Sequence, residues 1–254
     1  MATDWLTMLS IPDTARTDGR KIPSRTLAER ARLTRRQQRL LGNVKSLVCS
    51  AALTQTTTGM PVHIDDTYDI RSVLVLESEL GTMKDAGEIL SIVHAAFPHP
   101  TIVVASSGMQ CCISIAIPRK SLAETGATVI ETWEHSAWFT DTAHGNDTPW
   151  HVLAYDRLPH RDLFAYAHAA CNALRWWNLR DRLGVTPDSG MLLAGSIDRQ
   201  LLRLKTMDGQ IQRLRMQQKH PDTPLHERAR LRVEKNSLER EALELARHLT
   251  EGTS

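Results

Sequence analysis

The sequence predicts an α/β (α+β) protein: a small mixed β-sheet with flanking helices, followed by a C-terminal antiparallel helical hairpin of the coiled-coil type. Three observations lead to this fold class. Two apolar runs, residues 72–76 and 102–105, have the length of buried strands. Apolar residues at helical spacing separate the two runs. Near the C-terminus, leucines recur every seven residues.

Composition limits the classes of protein that fit. The chain has 254 residues, of which 41% are hydrophobic, enough for a buried core. We find no apolar run of about eighteen residues, the length that predicts a membrane-spanning helix, and no secretory signal at the N-terminus. The four cysteines form no C-x-x-C pair. We therefore expect a cytoplasmic protein that does not cross a membrane.

The first predicted region is an irregular N-terminal arm, residues 1–24. It is polar and contains Pro12 and Pro23, which disfavour regular structure. Its apolar residues between Trp5 and Ile11 are the exception, and they predict a short anchor that ties the arm to the rest of the chain.

A strongly basic segment overlaps the end of this arm. Residues 16–45 carry ten cations against two acids, a net charge of +8, on a chain whose total net charge is +2. Capping-box patterns at Thr26 and Thr34 predict a basic helix there, as the beginning of an α/β body over residues 25–184. Arginine neutralises phosphates and releases their counterions, whereas many charge runs are simply solvated or face acidic protein surface. The candidate nucleic-acid-binding residues are Arg30, Arg32, Arg35, Arg36 and Arg39.

The first half of the body predicts a β-α-β unit. Residues 44–53 predict a first strand, with a helix as the alternative, and a threonine-rich loop follows over residues 54–61. The clearest strand covers residues 70–80, and a helix over 84–97 connects it to a strand over 101–106. Such a crossover makes the last two strands parallel.

The second half of the body predicts a meander and a long helix. A strand over residues 111–117 should stop at Pro118, and another strand should cover residues 128–133. A polar loop over 140–149 and an amphipathic helix over 159–183, with Gly184 just beyond it, complete the body.

The third region is a helical hairpin over residues 197–250, with a break at 217–224. Its apolar stripe is impure, because Gln200, Arg228 and Lys235 fall on core positions. We therefore expect the hairpin to dock, either on the body of the same chain or on a partner protein. The candidate partner-binding residues are Ile197, Leu201, Leu204, Ile211, Leu214, Leu231, Leu238 and Leu245.

Known catalytic motifs are missing from the sequence. It has no phosphate-binding loop, no dinucleotide fingerprint, no serine nucleophile elbow and no H-E-x-x-H zinc motif. We therefore predict no catalytic residue, metal or cofactor. The alternative is a divergent metal-dependent nuclease that uses Asp66, Asp69, Glu77 and Glu79, although the lysine of the usual Glu-x-Lys pattern is missing. A metal site from His135, Asp141, His144 and His151 is a weaker alternative.

One resemblance covers nearly the whole chain. It is carried by the pattern Ile22-Pro23, Leu33-Thr34 and Leu40, the strand over residues 70–80, the segment Ala96-Phe97-Pro98-His99-Pro100 and the leucine-rich tail. Together these features resemble the bacterial domain of unknown function 4391 family. The loop over residues 140–149 and the stretch 141–158 depart from that pattern. The resemblance implies a genomic neighbourhood of helicases and DNA methyltransferases in restriction-like and antiphage loci, and it supplies no catalytic residues.

The resulting hypothesis is a non-enzymatic accessory subunit of a DNA-processing antiphage defence or restriction-like assembly. Its hairpin would dock on a larger partner, a helicase or a DNA methyltransferase, and its basic helix would touch the backbone of DNA or RNA. Besides the nuclease, a self-assembling structural protein whose hairpins pair with each other is the other alternative.

Overall fold

The computed structural model describes residues 4–31, 33–140, 148–184 and 195–251. The predicted mixed α/β fold class is confirmed. The strands are β1 (Arg16–Lys21), β2 (Val44–Thr54), β3 (His63–Ile64), β4 (Asp69–Ile70), β5 (Ser72–Leu80), β6 (Thr101–Ser107), β7 (Gln110–Lys120), β8 (Thr128–His135) and β9 (Phe139–Thr140). The helices are α1 (Trp5–Met8), α2 (Ser24–Arg30), α3 (Arg35–Leu41), α4 (Gln55–Thr58), α5 (Ala86–Ala95), α6 (Trp150–Leu153), α7 (Leu163–Asn178), α8 (Arg180–Leu183), α9 (Gly195–Lys219) and α10 (Leu225–Glu251).

The chain divides into two compact units, Met1–Leu174 and Arg175–Ser254. The first contains a seven-stranded sheet in the order β1-β2-β5-β6-β7-β8, with β9 also paired to β7. Strands β5 and β6 are parallel and α5 connects them, so the predicted β-α-β unit is confirmed. The other neighbours in the sheet are antiparallel. Strands β3 and β4 form a separate hairpin.

The central strands are buried on both faces. In β7, every residue from 111 to 118 is buried, which fits its apolar sequence. One face of the sheet packs against α2, α3 and α5 through a cluster that includes Leu27, Leu41, Ile89, Leu76 and Val103. Full burial of a leucine or isoleucine contributes roughly 2 kcal/mol, so this cluster fixes the three helices on the sheet.

The prediction of an irregular arm over residues 1–24 was wrong. The predicted anchor is present, since Trp5, Leu9 and Ile11 are buried, and α1 lies within it. Residues Arg16–Lys21 then form an edge strand against β2. This strand has a polar sequence because its side chains stay largely in water. Backbone hydrogen bonds to β2 hold it in place, together with a hydrogen bond from the Thr17 hydroxyl to the carbonyl oxygen of Cys49 at 2.6 Å.

The predicted single basic helix is broken into two. Helix α2 begins after Pro23 instead of at the predicted cap Thr26, and its C-cap is Ala31. Helix α3 restarts at Thr34, whose side chain forms the predicted capping box with Gln37. The capping box at Thr34 gives α3 its own beginning, so Arg35, Arg36 and Arg39 lie on a helix separate from α2.

Two further boundaries differ from the sequence-based expectation, and one predicted loop contains a helix. Strand β7 continues past Pro118 because a register shift between Ile117 and Pro118 accommodates the proline. The threonine-rich loop contains α4, which Thr54 caps. The long helix begins at Leu163, where the Asp162 carboxylate accepts the amide of Ala165 at 2.7 Å. Of the predicted loop over 140–149, residues 141–147 lie outside the described ones.

The second unit contains the predicted antiparallel hairpin of α9 and α10. Ion pairs join Arg203 to Glu241 and Arg215 to Glu239 across it. The second unit begins at Arg175, before the predicted boundary between residues 184 and 197. The reason is that Trp176, Leu179 and Leu183 pack in the same apolar cluster as both long helices. Among the helices that the structure describes, we find none long and apolar enough to cross a lipid bilayer.

Candidate nucleic-acid interface

A surface groove lies at the end of the sheet where β5, β6 and β8 begin and β7 ends. It consists of two adjoining cavities of about 580 and 710 Å³, which share Pro98 and residues 125–128. The smaller cavity lies beside the start of β5 and the end of β7. The larger one extends to Ala31, the C-cap of α2, which Arg30 and Arg32 flank in the sequence. The groove therefore ends at the basic segment.

Small side chains form much of the wall of the larger cavity. They are Ala31, Ala95, Ala96, Gly126 and Ala127. Because these residues have little or no side chain, the polypeptide backbone is close to the surface, and an extended polymer could lie against it. Gly126 has a φ of +79°, a backbone conformation that other residues rarely adopt, so this position of the β7–β8 loop favours glycine.

Charged side chains line the smaller cavity. The cations are Arg71, Arg119 and Lys120, and the acids are Asp66 and Asp69. Arg71 binds Asp69 through Nε to Oδ1 at 2.7 Å and Nη2 to Oδ2 at 3.4 Å. The charges of Arg71 and Asp69 therefore largely cancel, and the carboxylate of Asp66 is exposed in the lining of the cavity.

Arg119 and Lys120 are less completely neutralised than Arg71. Arg119 Nη1 donates to the carbonyl oxygen of Lys120 at 3.0 Å, and its Nε lies 3.7 Å from Oε1 of Glu131. Lys120 Nζ donates to the carbonyl oxygen of Asp65, and we find no ion pair between Lys120 and any described residue. These two side chains leave positive charge available for an anion at the end of β7.

His99 adds a hydrogen-bonding group to the same cavity. Its Nδ1 atom is buried and has no hydrogen-bond partner in the described part of the chain. Burial lowers the pKa of His99, so its ring is neutral at physiological pH. A neutral imidazole can donate or accept one hydrogen bond at Nδ1, depending on its tautomer.

The β3–β4 hairpin carries an aromatic cluster beside these cations. His63 stacks on Phe164 with ring centroids 4.5 Å apart, and Tyr68 lies 4.6 Å from the same phenylalanine. The Tyr68 hydroxyl donates to Glu131, which also faces Arg119. Burial, together with this hydrogen bond, raises the pKa of the Tyr68 phenol. The backbone amide of Tyr68 and the His63 ring lower the pKa of Asp65 in the connecting turn.

A comparison with protein families identifies the family of this chain. A family model described as a domain of unknown function (DUF4391) matches residues 9–241. The chain belongs to the DUF4391 family. Neither a search of curated proteins nor a search of solved structures found a match.

The predicted arginines of this DUF4391 chain fall into three groups. Arg32 and the side chain of Arg30 lie outside the described residues. Arg36 is already paired, with Nη2 2.8 Å from Oε2 of Glu88 on α5. Arg35 and Arg39 are exposed on α3 and form no ion pair with a described residue, so they are available to an anion.

The four acids of the nuclease alternative do not meet. Asp66 and Asp69 line the groove, whereas Glu77 and Glu79 lie near the other end of β5. Eight residues of extended chain separate Asp69 from Glu77, roughly 26 Å, so these carboxylates cannot share one metal ion. Among the described residues, no three histidine, cysteine, aspartate or glutamate side chains are grouped to hold a metal. Of the weaker metal set, Asp141 and His144 lie outside the described residues, and His151 bonds to Arg157 at 2.8 Å.

The candidate partner-binding residues of the hairpin occupy its interior. Ile197, Leu201, Leu204 and Ile211 are at most 5% exposed and Leu214 is 8% exposed. Leu231, Leu238 and Leu245 are half-buried, and the last two pack against the same cluster. Ile197, Leu201, Leu204 and Ile211 belong to an apolar cluster to which the end of α7 and α8 also contribute, so their packing is completed within the unit. A partner cannot contact these five side chains unless the hairpin opens.

Sequence reasoning missed the groove. Arg71, His99 and Lys120 come from three separate segments, and no local pattern connects them. It also missed a buried polar network, in which His94 of α5 bonds to Thr101 (Nδ1–Oγ1 2.5 Å) and Ser114 (Nε2–Oγ 2.7 Å). Trp133 Nε1 donates to Ser114 Oγ at 2.9 Å. All but Trp133 are buried, so this network supports the core instead of forming a surface site.

Proposed function

We propose that this protein is a non-enzymatic accessory subunit that binds nucleic-acid backbone within a DNA-processing assembly. The observation that supports this proposal most strongly is the continuity of the groove. It runs from Arg119 and Lys120 at the end of β7 to Ala31 in the basic segment, past a wall of small side chains. Positive charge at the end of an extended groove suits a linear polyanion better than a compact one.

The chemistry of the groove favours contact with phosphates over contact with bases. Arginine and lysine side chains bind phosphate oxygens and release condensed counterions, which gives affinity without sequence preference. The aromatic side chains of the β3–β4 hairpin offer a ring surface nearby, a feature common to proteins that hold single strands.

The family resemblance supports the proposed assembly partner. Its implied neighbourhood suggests a helicase or a DNA methyltransferase in a restriction-like or antiphage system. Because the hairpin leucines are occupied within their own unit, we propose that such a partner contacts exposed residues of the chain. Leu202 and Leu243 are 52% and 57% exposed on the two long helices and are the first residues to test by substitution in a pull-down.

A matched set of double variants tests backbone binding in the groove. Arg119→Ala with Lys120→Ala removes the available cations of the smaller cavity, and Arg35→Ala with Arg39→Ala removes those of α3. Arg20→Ala with Lys21→Ala is the control, since it removes two exposed charges from β1 at the opposite edge of the sheet. Fluorescence anisotropy with labelled single-stranded and duplex DNA over a salt series measures affinity.

The groove variant should bind DNA about tenfold more weakly, and its salt slope should fall by about 1.4 to 1.8, the value for two lost phosphate contacts. The α3 variant should change in the same direction, and the control should stay within about twofold of the wild type. If all three variants bind alike, or if the wild type does not bind nucleic acid, the proposal is wrong.

The competing nuclease hypothesis needs a separate experiment. The full chain is incubated with supercoiled and single-stranded DNA in the presence of magnesium or manganese. Metal-dependent cutting that Asp69→Ala abolishes would replace the non-enzymatic proposal. Asp69 is the informative residue because it lines the groove, whereas Glu77 lies too far along β5 to act there.

A further inference from the structure

Charge is divided unequally along the helical hairpin of the second unit. We define its outer half as residues 209–235, which comprise the end of α9, the connecting loop and the start of α10. This half carries seven lysines and arginines against three acids, a net charge of +4. The inner half, residues 195–208 and 236–251, carries five cations against six acids, a net charge of −1. The hairpin is therefore basic toward its loop and nearly neutral at its base.

Some cations of the outer half have structural roles. Arg215 Nη2 lies 2.7 Å from Oε1 of Glu239, and Lys235 Nζ lies 3.7 Å from Oε2 of the same side chain. The hydrogen bond from Arg215 lowers the pKa of Glu239, and the positive charges of Lys235, Arg215 and Arg182 lower it further. Arg228 donates to the carbonyl oxygens of His220 and Pro221, at 3.1 and 3.0 Å, and so fixes the loop.

The remaining four cations have fewer contacts, and of these Arg213 Nε donates to the carbonyl oxygen of Gly209 at 3.3 Å. Arg213, Lys219, Arg230 and Arg232 are exposed, and none forms an ion pair with a described residue. Arg230 and Arg232 are two residues apart on α10, roughly 200° around the helix, so positive charge lies on more than one side of the hairpin.

The chemistry of these side chains favours phosphates among polyanions. Five of the seven cations are arginines, whose planar guanidinium groups bind phosphate oxygens in pairs. Large apolar side chains lie among them, since Met216, Leu225 and Val233 are 74%, 84% and 70% exposed. Apolar groups beside arginines can pack on sugars while the guanidinium groups hold the phosphates.

We propose that the outer half of the hairpin is a second nucleic-acid-binding surface, which takes the phosphate backbone without reading the sequence. It is separate from the groove, because it belongs to the other unit and shares no residue with it. The hairpin thus binds nucleic acid through its exposed cations, while its buried leucines hold the two helices together.

A fourfold alanine variant tests this surface in the full chain. The test variant replaces Arg213, Lys219, Arg230 and Arg232. The control replaces four cations of the inner half, Arg199, Arg203, Lys205 and Arg240, so both variants lose the same charge. Circular dichroism verifies that the two remain equally helical. Binding to labelled single-stranded and duplex DNA is measured over a salt series, with polyglutamate as an acidic-protein probe.

The outer-half variant should bind DNA about tenfold more weakly or worse, with a salt slope lower by about 3, whereas the inner-half variant should lose much less. Equal losses in both variants would overturn the inference, because net charge alone would then explain them. Loss of polyglutamate binding with unchanged DNA binding would also overturn it, in favour of an acidic protein partner. If only the groove variant weakens DNA binding, this inference fails while the proposed function stands.

Discussion

His94 shows how one buried side chain can connect three elements. It lies on α5, is 2% exposed, and bonds to hydroxyls on β6 and β7. Burial, with a smaller effect of the nearby His135, lowers its pKa to about 3. The ring is therefore neutral in the folded protein at physiological pH, and each of its nitrogens has a hydroxyl partner.

Removal of this imidazole should destabilise the fold. We expect His94→Ala to lower the free energy of unfolding by about 3 kcal/mol, because it leaves a cavity and two buried hydroxyls, on Thr101 and Ser114, without their partner. His226→Ala is the control, since His226 is exposed, and it should change the value by less than about 0.5 kcal/mol. Urea denaturation measures both. A loss below about 1 kcal/mol for His94→Ala would show that the network contributes little.

At the scale of elements, two leucines of α9 that lie two residues apart have opposite environments. Leu204 is fully buried and Leu202 is 52% exposed, although both lie on the same helix. We expect Leu204→Ala to cost about 3 kcal/mol of unfolding free energy, from lost burial and the resulting cavity. Leu202→Ala should cost less than about 1 kcal/mol. Denaturation followed by circular dichroism compares them, and equal costs would contradict the packing of the hairpin.

The elements also show what local sequence can predict. Strands β2, β5 and β6 and the hairpin helices were predicted because burial leaves an apolar pattern in their sequences, as continuous runs in the strands and as heptad spacing in the helices. Strand β1 was missed because an edge strand with solvated side chains has no such pattern. The groove was missed for a different reason, since its lining comes from distant segments that only the tertiary fold brings together.

At the scale of the whole molecule, His94 makes stability depend on pH. Its pKa is near 6.5 in the unfolded chain and about 3 in the folded one, so below pH 6.5 the unfolded state binds a proton that the folded state does not. This contribution is complete above pH 6.5 and is lost as the pH falls toward 3. His99 and His151, whose pKa values are also lowered by burial, act in the same direction.

The wild-type free energy of unfolding should therefore fall between pH 6.5 and 4.5, with about 2 kcal/mol of the loss due to His94. His94→Gln removes the titrating group and keeps a donor and an acceptor. Urea denaturation at several pH values should give the variant a shallower decline by that amount. Parallel declines in the two proteins would assign the pH dependence to other groups.

The charged edge strand has a consequence for the behaviour of the protein at high concentration. Strand β1 covers β2, an apolar strand whose free backbone groups would otherwise pair readily with another molecule. Arg16, Asp18, Arg20 and Lys21 place charges along the outer rim, and the register shift between Arg16 and Arg20 makes that rim irregular. Such an edge discourages intermolecular strand addition. Strand β1 thus protects the sheet against aggregation.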